Sequence, residues 1–420
     1  MQNTENSTRI IIEGPARLRG RVSVGGSKNA ALPILASTLI TDEKCVINNV
    51  PDLADISVMI KMLRIFGKDV RRENGTVTVT GSISNGGEAP YEQVKKLRAS
   101  VLVMGALSGR LNKIRVPLPG GCAIGIRPID LHLKGFTAMG AKYSMSGGIV
   151  HLSSKRLKGA DIYLDYPSVG ATENLLAAAV RAEGLTVIEN IAREPEIEDM
   201  VNFLKEMGAD IEHSPSSLRV RGVNKFRPVE YTVMDDRIQA GTYLMAGALK
   251  NADIKIDFSA PETLEAVTGK LRECGADIET GENFIHIKGI SRLKGGEIMT
   301  APYPGFPTDL QAPAVALLSL AKGTSVVTEA VFENRFLHCA ELMRMGADIE
   351  VRGDSAILNG VSFLSGAPVM AMDLRGGAAL VIAGLAAKGR TEISGVHHIE
   401  RGYADLVPVL KRLGADIWVE

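Results

Sequence analysis

The sequence predicts an α/β protein of two domains, each made of three repeats of a helix, strand, helix and hairpin, with Ala-rich helices inside and strands outside. Three observations predict this fold: a helix-ending glycine motif that recurs six times, an Ala- and Leu-rich segment before each motif, and a β-branched segment after most of those Ala-rich segments. The 420 residues suffice for two or three domains, and 45% of them are hydrophobic, enough for sizeable cores.

The recurring motif is an amphipathic run that stops at a glycine, as in LKEMGADI and LMRMGADI. Glycine is favoured just after a helix because it adopts the left-handed conformation without steric cost. A polar and β-branched stretch such as DIEVRGDSAILNG follows, which is typical of a hairpin. The glycines recur at intervals of 67 to 73 residues, and they are Gly67, Gly140, Gly208, Gly275, Gly346 and Gly414.

Each repeat also contains a segment that is apolar on nearly every helical face, as in DRIQAGTYLMAGALKN and TDLQAPAVALLSLAKG. A helix of this kind is buried inside a domain. Strand-like segments such as CVINNV and TSVVTE follow most of them. Polar residues interrupt the apolar pattern where these helices begin, and they are Lys28 and Asn29, Arg98, Ser168 and Thr172, Asp236 and Arg237, Thr308 and Asp309, and Asp373 and Arg375.

The basic residues among these helix starts indicate an anion site. Helix capping explains Ser, Thr and Asp at a helix start, but cations are disfavoured by the partial positive charge there. A cation beside a helix N-terminus instead forms a site for phosphate or carboxylate. If the helices of each domain are parallel, their starts line one cleft between the domains. The cations concerned are Lys28, Arg98, Arg237 and Arg375.

Composition excludes several classes of partner. Lys and Arg total 48, as do Asp and Glu, so the net charge is zero, which argues against nucleic-acid or acidic-membrane binding. No Cys or His spacing matches a metal site, and the polar start MQNTENSTRI is not a signal peptide. We therefore expect a cytoplasmic protein without a resident metal, and a homo-oligomer remains compatible with the sequence. Cys45, Cys274 and Cys339 are interpreted as packing residues.

The fourth cysteine, Cys122, lies in the loop LPGGCAIGIRP, where glycines precede it and Arg127 follows. Glycines let a loop approach a substrate closely, and a nearby arginine favours the thiolate. With this loop and the stretches GGSKNAALPILA, LRASVLVMG, SVGATEN, FPTDLQAP, VFENRF, DLRGGAAL and HIERGYADL, the chain resembles the UDP-N-acetylglucosamine 1-carboxyvinyltransferases, a family of enolpyruvyl transferases. The resemblance covers essentially all 420 residues.

The resemblance implies two inverted α/β barrel-like domains hinged around a cleft. Residues 1–27 plus 236–420 would form a discontinuous domain, and residues 28–235 would form the second domain, which carries the cysteine loop. The implied reaction moves the enolpyruvyl group of phosphoenolpyruvate to the 3′-hydroxyl of UDP-N-acetylglucosamine by addition and elimination, and it releases phosphate. It needs no cofactor and is the first committed step of bacterial peptidoglycan synthesis. The domains would close when the nucleotide sugar binds.

The resemblance also implies roles for individual residues. Cys122 would be the general acid and the target of fosfomycin, and Asp309 the general base, although Asp309 could instead be a simple helix N-cap. Lys28, Asn29 and Arg401 complete the expected catalytic set. Beyond these three and Asp309, the expected substrate-binding residues are Arg98, Arg127, Pro128, Ile129, Asp130, Leu131, Ser168, Val169, Gly170, Val331 and Arg375.

Two other functions stay open at this point. The chain could transfer the enolpyruvyl group to a shikimate-type acceptor, because the shikimate-pathway transferase shares the repeat architecture. It could also be a non-catalytic paralogue that binds a nucleotide sugar. The cysteine loop argues against the first alternative, and the presence of both Cys122 and Asp309 argues against the second.

Overall fold

The computed structural model describes residues 8–89, 91–94, 101–118 and 129–420. These residues separate into two compact units. One unit consists of residues 8–25 and 235–420, and the other of the described residues between 26 and 234. Each unit has its own hydrophobic core, so each is described by itself.

The elements before residue 235 begin with two strands that belong to the first unit. The helices and strands are β1 (Ile10–Gly14), β2 (Arg19–Ser23), α1 (Lys28–Ser37), β3 (Cys45–Asn48), α2 (Ala54–Ile65), β4 (Asp69–Glu73), β5 (Thr76–Thr80), α3 (Tyr91–Val94), α4 (Val103–Ser108), β6 (Lys113–Pro117), α5 (Asp130–Ala138), β7 (Lys142–Ser146), β8 (Ile149–Ser153), β9 (Asp161–Tyr163), α6 (Val169–Ala179), β10 (Leu185–Glu189), α7 (Pro195–Glu206), β11 (Asp210–Ser214), β12 (Ser217–Arg221) and β13 (Val229–Thr232).

The elements after residue 235 repeat the same succession. They are α8 (Arg237–Gly247), β14 (Asp253–Asp257), α9 (Glu265–Glu273), β15 (Asp277–Thr280), β16 (Phe284–Lys288), β17 (Glu297–Met299), α10 (Gln311–Leu318), β18 (Thr324–Thr328), α11 (His338–Arg344), β19 (Asp348–Arg352), β20 (Ser355–Asn359), β21 (Pro368–Met370), α12 (Leu374–Ala386), β22 (Gly389–Ser394), α13 (Val396–Ile399), α14 (Leu406–Arg412) and β23 (Asp416–Val419). Short 3₁₀ turns at Thr38–Ile40, Pro261–Leu264 and Thr308–Leu310 precede or follow helices.

The strands form small sheets that share one pattern. The orders are β13-β3-β5-β4, β6-β8-β7 and β9-β10-β12-β11 in one unit, and β2-β14-β16-β15, β17-β18-β20-β19 and β21-β22-β1-β23 in the other. Each four-stranded sheet has one parallel pair at an edge and two antiparallel pairs. The mixed α/β fold predicted from the sequence is confirmed. Within the described ranges, however, the sheets are open and none closes into a barrel.

Strand β1 lies in the middle of the last sheet, between β22 and β23. Ile12 is opposite Thr391 on one side and Ile417 on the other. Beside it, Arg9 and Glu420 exchange backbone hydrogen bonds of 2.8 and 2.9 Å. The sixth repeat therefore obtains one of its strands from the beginning of the chain.

The six predicted helix-ending glycines all have positive φ, between +85° and +105°. They follow α2, α5, α7, α9, α11 and α14, in chain order. The prediction that each motif ends a helix in the left-handed conformation is confirmed.

The other helix of each repeat lies in a core. All eight residues of α10 are buried, as are eleven of the thirteen in α12. In these two helices the small alanine side chains allow close packing, and the polar residues, Gln311 and Arg375, lie at the helix starts. Arg375 therefore projects from the start of a buried helix. None of the described helices is long and apolar enough to cross a membrane.

Candidate active site

Asp309 lies in the 3₁₀ turn that precedes α10, and two arginines hold its carboxylate. Oδ1 accepts a hydrogen bond of 2.6 Å from Nη2 of Arg335, and Oδ2 accepts one of 2.8 Å from Nη2 of Arg375. The two arginine side chains are 4% and 5% exposed, whereas that of Asp309 is 24% exposed. The carboxylate is thus held on both oxygens while part of it remains open.

The charges of the arginines decide the ionisation of Asp309. Burial alone would raise the pKa of this carboxyl, but the charges and hydrogen bonds of Arg375 and Arg335 outweigh burial and hold its pKa well below the ordinary value. Burial would lower the pKa of Arg375, yet Asp309 and Tyr403 hold that pKa above its usual range. Asp309 is therefore a carboxylate at neutral pH, clamped by permanent cations.

The alternative interpretation of Asp309 as a helix cap is wrong. The residue that precedes the 3₁₀ turn is Pro307, and neither that turn nor α10 has a side-chain cap. By contrast, Asp236 does cap α8, because it accepts hydrogen bonds of 2.9 Å from the backbone N–H groups of Ile238 and Gln239.

Arg375 belongs to the first turn of α12. Asp373 caps this helix by accepting 2.9 Å bonds from the backbone N–H groups of Arg375 and Gly376. Only the backbone of Arg375 takes part in this cap. Its side chain donates a hydrogen bond of 3.1 Å from Nη1 to the Tyr403 hydroxyl. Tyr403 in turn lies 2.8 Å from the Thr242 hydroxyl. This network fixes the guanidinium that faces Asp309.

Arg401 lies two residues before Tyr403, just beyond α13, and is half-buried. His398 lies close to it: burial, His397 and the Arg401 charge together lower the His398 pKa. The predicted site residues Asp309, Arg375 and Arg401 are thus gathered in one unit, Asp309 and Arg375 in direct contact.

Val331, another predicted site residue, lies in a segment anchored by Glu329. The buried Glu329 carboxylate accepts hydrogen bonds of 2.9 Å from the Thr300 hydroxyl and 2.8 Å from the Thr308 hydroxyl. It also accepts bonds of 2.9 and 3.1 Å from the backbone N–H groups of Val331 and Phe332. Four donors on one carboxylate hold this segment in place beside the turn that carries Asp309.

Sequence reasoning missed Arg335, although VFENRF was among the stretches that carried the resemblance. Its Nη1 donates to the Thr308 hydroxyl at 2.5 Å while Nη2 binds Asp309. Arg335 lies in an irregular segment, where hydrophobic periodicity gives no signal. The family stretch was the one available pointer to it.

In the other unit, Lys28 is the first residue of α1, whose cap is Ser27. The Lys28 ammonium lies 2.6 Å from Oδ2 of Asp55, and the two side chains are 10% and 4% exposed. Asn29, the next residue, is half-buried. A lysine at a buried helix start, which the sequence singled out as unusual, is thus paired with an acid from α2.

The predicted nucleotide-sugar residues of this unit lie at the starts of α5 and α6. Ser168 caps α6 by accepting from the backbone N–H of Ala171 at 3.3 Å, and Val169 and Gly170 form its first turn. His132 of α5 links the two starts, because a Cβ on Gly170 would lie 3.4 Å from its ring, and its Nδ1 is 2.8 Å from Asn174 of α6. Three further predicted residues open α5: Ile129 is buried in the core, Leu131 is partly buried and Asp130 is exposed.

Four predicted site residues, Arg98, Cys122, Arg127 and Pro128, lie outside the described residues. The other three cysteines are buried as predicted. Burial raises the pKa of the Cys45 and Cys339 thiols to about 12, and it also raises that of Cys274. Within the described ranges, no group of His, Cys, Asp or Glu side chains is placed to hold a metal ion.

Comparison with known proteins assigns the chain to a family. The family model described as EPSP synthase (3-phosphoshikimate 1-carboxyvinyltransferase) matches residues 12–410. The chain belongs to the enolpyruvyl transferase family. Among its relatives in this family, UDP-N-acetylglucosamine 1-carboxyvinyltransferase 1 of Caldanaerobacter subterraneus is 47% identical, with 98% of this chain and 99% of the relative covered. The enzyme named UDP-N-acetylglucosamine 1-carboxyvinyltransferase 2 of Carboxydothermus hydrogenoformans is 50% identical, with 97% and 98% covered.

Solved structures of enolpyruvyl transferases agree with this assignment. The enolpyruvyl transferase NikO from Streptomyces tendae superposes with a TM-score of 0.90 at 27% identity, over 99% of both chains. An EPSP synthase from Acinetobacter baumannii gives 0.76 at 21% identity, over 98% of this chain and 99% of that one, and so shares the fold. The family resemblance inferred from the sequence is confirmed.

Proposed function

We propose that this enolpyruvyl transferase moves the enolpyruvyl group of phosphoenolpyruvate to the 3′-hydroxyl of UDP-N-acetylglucosamine and releases phosphate, the first committed step of peptidoglycan synthesis. Relatives named for this reaction, 47% and 50% identical over nearly the whole chain, support the substrate assignment. The observation from the structure that carries the proposal is Asp309, an ionised and partly exposed carboxylate held between two buried arginines.

The reaction needs one group to take a proton from the acceptor hydroxyl and another to give one to phosphoenolpyruvate. In the addition step, the 3′-oxygen bonds to C2 of phosphoenolpyruvate while C3 gains a proton and becomes a methyl group. In the elimination step, C3 loses a proton and the bond between C2 and the phosphate oxygen breaks. We propose that Asp309 accepts the proton of the acceptor hydroxyl and that Cys122 donates the proton that C3 gains.

The remaining residues would bind the anionic groups of the substrates. Lys28, Arg127 and Arg401 are proposed to hold the phosphate and carboxylate of phosphoenolpyruvate, and Asn29 to hydrogen-bond at the reacting centre. The first turn of α6, formed by Val169 and Gly170, would direct its backbone N–H groups to the pyrophosphate of the nucleotide sugar. The other proposed substrate contacts are Arg98, Pro128, Ile129, Asp130, Leu131, Val331 and Arg375. Since Ile129 is buried in the core, only its backbone is suited to contact the substrate.

We also propose that the two compact units are the two enolpyruvyl transferase domains expected from the sequence, 1–27 plus 236–420 and 28–235. A cytoplasmic location is proposed with them, because reduced, buried cysteines suit that compartment.

The test is phosphate release from phosphoenolpyruvate with UDP-N-acetylglucosamine, compared between wild type, Cys122→Ala and Asp309→Ala. Removing a general acid or base should lower kcat by about 10²- to 10⁴-fold. Circular dichroism and thermal unfolding serve to show that each variant is folded. Turnover with shikimate 3-phosphate alone would contradict the acceptor assignment, and tight nucleotide-sugar binding without turnover would indicate a non-catalytic paralogue.

A second test uses fosfomycin, an electrophilic epoxide. It should alkylate Cys122 once per chain, because the other three thiols are buried and their raised pKa keeps them protonated. Intact-mass measurement of wild type and Cys122→Ser gives the result. An adduct that persists in Cys122→Ser would count against this assignment.

A further inference from the structure

Arg335 is the member of the Asp309 clamp that the proposed mechanism leaves without a role. Its guanidinium binds two consecutive residues of one turn: Nη1 donates to the Thr308 hydroxyl and Nη2 to the Asp309 carboxylate. A planar fork that holds two neighbouring side chains restricts the turn more than a single bond does. Arg375 differs, because its second contact is with Tyr403, on another segment.

The segment that carries Arg335 is itself fixed. Glu329 ties the backbone of Val331 and Phe332 to the Thr308 hydroxyl, and Thr308 is the same residue that Arg335 binds. The Arg335 guanidinium also lies 5.1 Å from the centre of the Phe332 ring. The position of the guanidinium is therefore fixed by contacts other than its bond to Asp309.

We infer that Arg335 is a positioning residue for the base: it fixes the orientation of the Asp309 carboxylate and keeps it anionic in a partly buried setting. The inference rests on the proposed role of Asp309 as the base. Burial pushes a carboxyl towards its neutral form, which cannot accept a proton, and Arg335 opposes that tendency. The pKa of Asp309, held well below its usual range by both arginines, agrees with this.

The charged and titratable groups around Asp309 and its arginines come from several elements. His338 at the start of α11 has a pKa lowered to about 4, chiefly by burial, so it is neutral at higher pH and adds no charge there. The remaining groups are Arg335 before α11, Glu329 after β18, Asp236 before α8, Asp373 before α12, Arg375 in α12 and Tyr403 beyond α13. Among the residues that the structure describes, Arg335 and Arg375 are the cations in contact with the carboxylate, so loss of Arg335 leaves Arg375 to oppose burial.

The first experiment reads Asp309 directly and does not require turnover. Protein labelled with ¹³C at the aspartate side-chain carboxyl is titrated by NMR, and Asp309→Asn identifies the Asp309 signal. In wild type this signal should not titrate between about pH 5 and 8. In Arg335→Met its midpoint should move upward, and in Arg335→Lys it should lie between the two. An Asp309 signal that titrates alike in wild type and Arg335→Met would overturn the inference.

The second experiment separates positioning from substrate binding. In Arg335→Met, kcat for phosphate release should fall about tenfold or more at neutral pH and further as the pH falls, while KM for UDP-N-acetylglucosamine changes little. Arg344→Gln is the matched control, because Arg344 is an exposed arginine of neighbouring α11. An effect on KM alone would overturn the inference.

Two variants keep the test decisive if Arg335→Met does not fold. Arg335→Lys keeps the charge, and Thr308→Val keeps every charge but removes the hydroxyl that Arg335 binds. Thr308→Val should lower kcat without moving the Asp309 titration, because it loosens the fork and leaves both arginines. If wild type shows no turnover with UDP-N-acetylglucosamine, the proposed function is wrong. The NMR titration still tests whether Arg335 keeps Asp309 anionic.

Discussion

The two units bury different kinds of cation. Among the described residues, the buried cations of the unit formed by 8–25 and 235–420 are Arg237, Arg335 and Arg375, whereas those of the other unit are Lys28 and Lys68. Arginine stays protonated in proteins, while a buried lysine readily loses its proton. Units built from the same repeat therefore differ in how their interior charge responds to pH.

Lys68 shows how strong this effect is. Its ammonium donates to the backbone carbonyls of Thr41 and Gly81 and lies 3.8 Å from Asp42. Burial, helped by the charge of Arg110, lowers the Lys68 pKa to about 8. Arg375 changes in the opposite direction, because Asp309 and Tyr403 raise its pKa against the effect of burial.

Two acids, one from each unit, also differ in the direction in which their pKa is shifted. Burial raises the pKa of Asp199 to about 6, even though Tyr231 donates a hydrogen bond of 2.6 Å to its carboxylate. Asp309 has its pKa lowered instead, because two arginines outweigh burial. Two arginines thus hold Asp309 charged, whereas burial favours the neutral form of Asp199.

The largest expected effect comes from removing the acid of each buried pair. Asp309→Asn removes the carboxylate that Arg335 and Arg375 both bind, which should cost about 3–5 kcal/mol of unfolding free energy. Asp55→Asn should cost less, because it removes the acid of one buried cation, Lys28, and not of two. Denaturant unfolding at neutral pH measures both changes, and equal losses would break the proposed contrast between the units.

The next effect appears at alkaline pH. Lys68 has a lower pKa in the folded state, about 8, than in the unfolded chain, about 10.4, so the unfolded state binds more protons between these values. Stability from this group should therefore rise with pH across that window, by about 2–3 kcal/mol. Lys68→Met removes this contribution to the unfolding free energy. Unfolding curves of both proteins at several pH values should diverge there, and parallel curves would show that Lys68 is not responsible.

A somewhat smaller effect is expected at acid pH. Asp199 has a folded pKa of about 6, above its unfolded value of about 3.9, so the folded state binds more protons between them. Its contribution should fall by about 2 kcal/mol as pH rises through that window. Asp309 has the opposite sign, and its contribution is lost as pH falls. In Asp199→Asn, this decrease in unfolding free energy with rising pH should disappear. An unchanged dependence of stability on pH would contradict the raised pKa of Asp199.

The smallest effect is expected at the surface. Glu392 pairs with Arg9 at 3.0 Å, with side chains 26% and 53% exposed. Glu392→Gln should change the unfolding free energy by about 0.2–1 kcal/mol, and less in high salt. Unfolding at two salt concentrations tests this. A loss as large as that of Asp309→Asn would mean that burial is not what separates these pairs.

The repeat could be predicted from the sequence because it rests on local signals. The six glycines mark helix ends by their own backbone preference, and Asp236 was a recognisable cap. The partners of the site residues could not be predicted, since Asp309 meets Arg335 and Arg375 across gaps of 26 and 66 residues. The same applies to Asp55, which nothing in the sequence indicates as the partner of Lys28.

The place of β1 has a consequence for synthesis on the ribosome. The described residues of the second unit all lie between 26 and 234, so the ribosome has made them midway through translation. Strand β1 is made first, but its neighbours β22 and β23 end at residues 394 and 419. Strand β1 therefore stays without its partner strands until nearly the whole polypeptide has been synthesised. The unit that carries Asp309 is consequently the last to complete its fold.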